Sequence, residues 1–116
     1  MDYELTASIF KALGDPKRVQ IMDILSCGEQ CACDILAYFD FTQPTLSHHM
    51  KVLMQAGLVQ SRKSGTWHHY SLHKEKMNEL SAILEALLQN QRDCICHEMA
   101  EGNEACASYP KEKVTP

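Results

Sequence analysis

A chain of 116 residues, 45% hydrophobic and 22% charged, has the size and balance of a single soluble domain. It holds no apolar run of about 18 residues, so no membrane span or membrane partner is expected. Its net charge of −4 argues against a nucleic-acid partner only as a total: residues 1–40 and 77–116 each carry seven acidic and three basic side chains, whereas residues 41–76 carry five basic and one acidic, a net +4.

The opening stretch, MDYELTASIF, begins acidic and lacks the basic segment and cleavage site of a secretion signal. A cytoplasmic location with reduced thiols is therefore expected. From Tyr3 to Leu13, Leu5, Ile9 and Leu13 recur at helical spacing with Ala12 beside them, and Gly14 stops the helix. Asp15-Pro16 is a cap followed by a first-turn proline, which starts a second helix from Pro16 to Ser26. Val19, Met22, Ile24 and Leu25 lie on its expected core side, and Gly28 ends it. Cys31 to Phe39 reads as a short third helix with Ile35, Leu36 and Phe39 apolar. Phe39-Asp40-Phe41 is then a tight link to the next element.

That element, Thr42 to Leu58, has two unlike faces. Thr42 suits an N-cap, Pro44 falls in the first turn, and Gly57 ends the helix. Leu46, Met50 and Leu53 form one apolar stripe, while Thr45, His48, Lys51 and Gln55 point away from it. Helix, short turn, helix is a DNA-binding unit whose second member reads the major groove. Two β-prone runs follow, Leu58 to Lys63 and Thr66 to Leu72, around the turn signal Ser64-Gly65. A hairpin there would be a wing, with Arg62 and Lys63 at its tip reaching phosphates. From Lys74, Met77, Leu80, Leu84, Leu87 and Leu88 make a helical stripe that extends beyond what the small core can cover, a seam for a homodimer. The division expected is a domain over residues 1–92 and a Cys-containing, partly disordered tail over 93–116.

Six cysteines in such a chain point to metal or redox chemistry more than to disulfides. Cys27 reads as a small hydrophobe. Cys31-Ala32-Cys33 precedes the reading helix, and Cys94-Ile95-Cys96-His97 lies near the end of the last one, with Cys106 beyond. On a regular helix, positions i and i+2 point about 200° apart and cannot share an ion. The pair converges only if one residue lies in the pre-helical turn, or if the helix unwinds. A helix start also favours thiolates at Cys31 and Cys33, and thiolates select soft ions, with affinity falling at acidic pH.

FKALGDPKRVQIMDIL, GEQCACDIL, QPTLSHHMKVLMQAGLV and RKSGTWHHYSL together resemble the arsenical-resistance repressor (ArsR/SmtB) family, from about residue 5 to residue 90. The resemblance implies a mainly α fold with a small β-hairpin, a dimeric winged helix-turn-helix. It implies a transcriptional repressor that leaves double-stranded operator DNA, an inverted repeat, when a thiophilic ion binds. Gln43, Thr45, Ser47 and His48 match its base-reading positions, Lys51, Arg62 and Lys63 would hold phosphates, and the motif of Cys31 to Asp34 matches its sensing motif. No cofactor is expected to be bound constitutively; As(III) or Sb(III) is the expected inducer, closest to the arsenic-sensing branch.

This sequence departs from the family pattern in three places. The third cysteine of many arsenic sensors is here Leu36, the N-terminal cysteines of cadmium and lead sensors are absent, and Met77 to Asn90 lacks the zinc-sensing histidines and aspartate. A third sulfur would come from Cys94, Cys96 or Cys106, in the same subunit or its mate. Two thiols alone, or a separate site of those three cysteines, are the other arrangements left open. The alternatives in function are a repressor sensing Cd(II) or Pb(II), one sensing thiol oxidation through the same cysteines, and a protein-binding winged helix. With no Cys-x-x-Cys motif, phosphate loop or paired catalytic carboxylates, no enzyme is expected.

Overall fold

The computed structural model describes residues 1–89. The expected tail, with Cys94, Cys96 and Cys106, and the last turn toward Arg92 lie outside the described residues. The chain divides into two units, Met1–Ser81 and Ala82–Pro116, and the boundary falls inside the last helix.

Two helices open the first unit. In α1 (Tyr3–Ala12) the Asp2 carboxylate caps the start by accepting from the Leu5 N–H at 3.0 Å. In α2 (Pro16–Leu25) Asp15 does the same for Lys17 at 2.8 Å, ahead of the first-turn proline. The buried face of α2 is Ile21, Met22 and Leu25. Val19, expected inside, is 51% exposed, because it sits two residues and about 200° round the helix from Ile21. Leu5 on α1 is likewise exposed, while Ile9 and Ala12 are buried.

A strand of two residues, β1 (Gln30–Cys31), leads into α3 (Ala32–Leu36), which is five residues long and shorter than expected. Tyr38 and Phe39 close its end with turn bonds to the carbonyls of Ile35 and Leu36, both 3.0 Å, so Phe39 lies outside the helix. The Phe39 and Phe41 rings stack at 4.4 Å across the link to α4 (Gln43–Gln55). Gly57 follows with φ +80°, and Leu58 turns inward to full burial.

β2 (Val59–Ser64) and β3 (Trp67–Leu72) form the hairpin, with Gly65 at φ +63° in its turn. The wing is a three-stranded antiparallel sheet in the order β1-β3-β2, not a hairpin alone. Gln30 and Cys31 pair with Tyr70 and His69, and His69 pairs in turn with Arg62. A core of Ile21, Ile35, Leu46, Met50, Leu53 and Leu58, each under 2% exposed, joins α2, α3, α4 and the start of the hairpin. The last helix, α5 (Lys74–Leu88), places Leu80 in that core and packs Met77 against it. Among the described residues no helix is long and apolar enough to cross a membrane.

Candidate nucleic-acid interface and thiol pair

The two faces of α4 separate as its spacing requires. Leu46, Met50 and Leu53 are buried, and Gln43, Thr45, Ser47, His48, Lys51 and Gln55 are all exposed. Thr42 occupies the cap position, but its side chain makes no capping bond; its hydroxyl lies 3.5 Å from that of Thr45. The exposed face therefore begins with hydroxyls and an amide and carries a cation, Lys51, further along. Such groups can pair with base edges and phosphates in a major groove.

One buried polar residue on this helix lies outside the pattern of its exposed face. His49 is 7% exposed and shares the inward stripe, three residues after Leu46 and one before Met50. Arg18 Nη1 on α2 donates to its Nδ1 at 3.2 Å, and Phe41 lies 5.5 Å from its ring. Arg18 also donates to the Ala12 carbonyl and stands 4.0 Å from the Asp15 carboxylate. Burial first, with the charge of Arg18 adding to it, holds His49 below the usual imidazole range, while Asp15 opposes the shift. Asp15 is itself lowered, first by the Lys17 N–H and further by Arg18. The signal available in sequence was the position of His49 on the apolar stripe.

The wing places its cations differently from expectation. Arg62 is not at the tip, which is Gly65-Thr66; it lies across from His69, and its guanidinium is paired with the Glu29 carboxylate. That partner comes from the turn before β1, far away in sequence, so no local pattern announces it. Lys63 is exposed opposite His68, whose ring stands over Tyr70 at 6.2 Å. Trp67 begins β3 with about half its surface open.

The sulfurs of Cys31 and Cys33 lie 2.9 Å apart in hydrogen-bond contact, with no disulfide between them. Convergence arises because Cys31 is the cap, with extended backbone at φ −71° and ψ 148°, while Cys33 is already helical. Thiolate stabilisation by the helix start, expected for both, does not govern Cys33. Its thiol is pushed up, first by the hydrogen bond with Cys31 and then by burial and the neighbouring charges. The five helical residues of α3 supply little opposing field. Cys27, expected to be packed away, is exposed. Leu36, at the position where a third sulfur would stand, packs against the core. Among the described residues no three His, Cys, Asp or Glu side chains converge.

Comparison with known proteins bears on this arrangement. The family described as "Bacterial regulatory protein, arsR family" matches residues 15–61, from the α2 cap into β2. The chain is 45% identical over 102 residues to an arsenical resistance operon repressor of Staphylococcus xylosus, covering 88% of this chain and 98% of that one. It is similar to the crystal structure of an ArsR family transcriptional regulator, with TM-score 0.71 and 25% identity over 80% of this chain and 96% of the other. It is also similar to the solution structure of a homodimeric winged helix-turn-helix DNA-binding domain from Mycobacterium bovis, a possible ArsR-family regulator. There the TM-score is 0.62, the identity 29%, and the coverage 75% of this chain and 81% of that one.

Proposed function

The chain belongs to the arsR family of bacterial regulatory proteins, helix-turn-helix repressors of operator DNA rather than enzymes, and on that premise we propose that it releases its operator when Cys31 and Cys33 capture trivalent arsenic or antimony. The observation that carries this reading is the 2.9 Å separation of two sulfurs not joined by a disulfide, at the entrance to α3, the element directly before the reading helix. Soft thiolates favour soft, thiophilic centres over hard cations. The name of the Staphylococcus relative, which refers to arsenical resistance, points the same way.

In this reading two copies of the chain form a homodimer, as the Mycobacterium neighbour does, and two α4 helices enter successive major grooves of an inverted repeat. Gln43, Thr45, Ser47 and His48 contact base edges; Lys51, Lys63 and Arg62 contact phosphates. An ion held by Cys31 and Cys33 alters the start of α3, whose Ile35 shares the buried core with Leu46 of α4. Cys94, Cys96 and Cys106 are further candidate ligands. A coupling of about 1–3 kcal/mol per ion suffices to shift operator occupancy.

The test is a mobility shift on the DNA upstream of the gene, with arsenite, antimonite, cadmium, lead, zinc and peroxide titrated in turn. Arsenite or antimonite is expected to release the wild type at the lowest concentration. The Cys31→Ser, Cys33→Ser double variant is expected to bind the same DNA and stay bound. Ordinary release of that variant by arsenite would overturn the assignment. Release by peroxide alone would move it to thiol oxidation.

A further inference from the structure

The segment Glu29–Cys31 touches the wing in two ways. Its backbone is a strand of the wing sheet, with Gln30 paired to Tyr70 and Cys31 to His69. Its first side chain, Glu29, holds the guanidinium of Arg62 on β2. Because His69 also pairs with Arg62, the residues Cys31, His69 and Arg62 form one row across three strands, on one face of the sheet. Cys31 in turn lies 2.9 Å, sulfur to sulfur, from Cys33 on α3. The thiol pair is thus joined to the wing by a strand pairing and an ion pair, and to α4 through the packing of α3.

We infer that the wing is a direct output of the thiol pair, and that Glu29 is its positioning residue: bridging Cys31 to Cys33 fixes β1, and Glu29 then keeps Arg62 from a phosphate. The inference rests on the proposed capture of an ion by these cysteines and adds the route and the residue through which capture is felt. Glu29 competes with DNA for the same guanidinium, and its own charge repels the backbone. Holding that carboxylate on a stiffened strand therefore weakens the wing's grip without moving α4.

Phenylarsine oxide tests this on the full chain, because it bridges a close dithiol whatever the physiological inducer is. Two As–S bonds replace the As–O bond, and the two thiol protons leave with the oxygen as water. Uptake is counted as loss of two titratable thiols relative to the Cys31→Ser, Cys33→Ser variant. Trp67, the single tryptophan, starts β3 and reports on the wing. On uptake, the amides of residues 67–72 are expected to exchange more slowly, and acrylamide quenching of Trp67 to fall. Glu29→Gln is expected to take up the arsenical normally. It should also tighten operator binding of the ion-free protein about two- to fivefold, the range set by one exposed ion pair, and reduce the arsenical's effect on it.

Loss of two thiols with β3 and Trp67 unchanged, and protection altered only in α3 and α4, would overturn the route. Unaltered operator binding by Glu29→Gln in both states would overturn the role of Glu29. If no thiols are lost, the ion-binding reading itself fails and the inference falls with it, an outcome separated from the other two by the thiol count.

Discussion

At the scale of single residues, His49 shows how the reading helix is fixed at its middle. Its Nδ1 accepts from Arg18, so the contact exists only while that nitrogen carries no proton. Burial lowers the affinity of the folded state for the proton, so between the usual imidazole range and the depressed one the unfolded chain binds more protons. Stability from this group is then complete above the unfolded value and is lost as pH falls through the folded one. Arg18, Lys17 and His48 add positive charge around it, and Asp15 offsets them. Urea midpoints measured from pH 7.5 down to 5 should therefore fall more steeply for the wild type than for His49→Gln; parallel curves would remove His49 from the account. His49→Ala removes the acceptor of Arg18 Nη1 in a largely buried place, leaving the guanidinium its bond to the Ala12 carbonyl, and should cost about 1–3 kcal/mol at pH 7.5. Leu53, fully buried one turn beyond His49, is a different case. Leu53→Ala removes packing alone and should cost about 2–5 kcal/mol with no pH dependence of its own.

At the scale of elements, Gly57 separates the reader from the wing, and its cost can be assigned to backbone alone. A Cβ there would first meet the aliphatic chain of Lys76 at 3.5 Å, an ordinary contact, but φ +80° is the left-handed region. Gly57→Ala should lower stability by about 1–2 kcal/mol, read as a shifted urea midpoint at unchanged slope. The helices around it were legible in sequence because their signals are local: Asp15-Pro16 starts α2, and Leu46, Met50 and Leu53 mark the inner face of α4. The convergence of Cys31 and Cys33 was legible for the same reason, once one of them was allowed to precede the helix. β1 was not, since two residues carry no alternation and gain strand character only from Tyr70 and His69, far along the chain. The Glu29–Arg62 and Arg18–His49 pairs were hidden likewise, each joining elements that sequence spacing leaves unconnected. Val19 faces out for a simpler reason: apolar character alone does not set a helical face, and Val19 lies about 200° round α2 from the buried Ile21.

At the scale of the whole molecule, the apolar surface left open by one chain has to be accounted for. On α5, Leu84 is 44% and Leu87 61% exposed, although both continue the stripe that begins with Met77 and the buried Leu80. Tyr3 and Phe10 on α1 are open as well. Large apolar side chains repeated along one helix face, as on α5, mark association surfaces more often than isolated exposed leucines do. A homodimer formed there would also solve a binding problem. One α4 helix and one wing offer few phosphate contacts, and the basic residues of 41–76 sit between two acidic blocks. Joining two readers turns the second half-site into an intramolecular partner, an advantage of about 10²–10⁴ in affinity. Leu84→Glu with Leu87→Glu should therefore convert the protein to a monomer in sedimentation and weaken operator binding by about 10²-fold or more. Helix content by circular dichroism should hold, because neither side chain is part of the buried core. The Cys31–Cys33 pair lies within one chain, so the monomer should still take up a dithiol-bridging arsenical. A variant that stays dimeric and grips its operator normally would move the seam away from α5. One that loses arsenical uptake together with dimerisation would place a ligand of the ion across the subunit boundary.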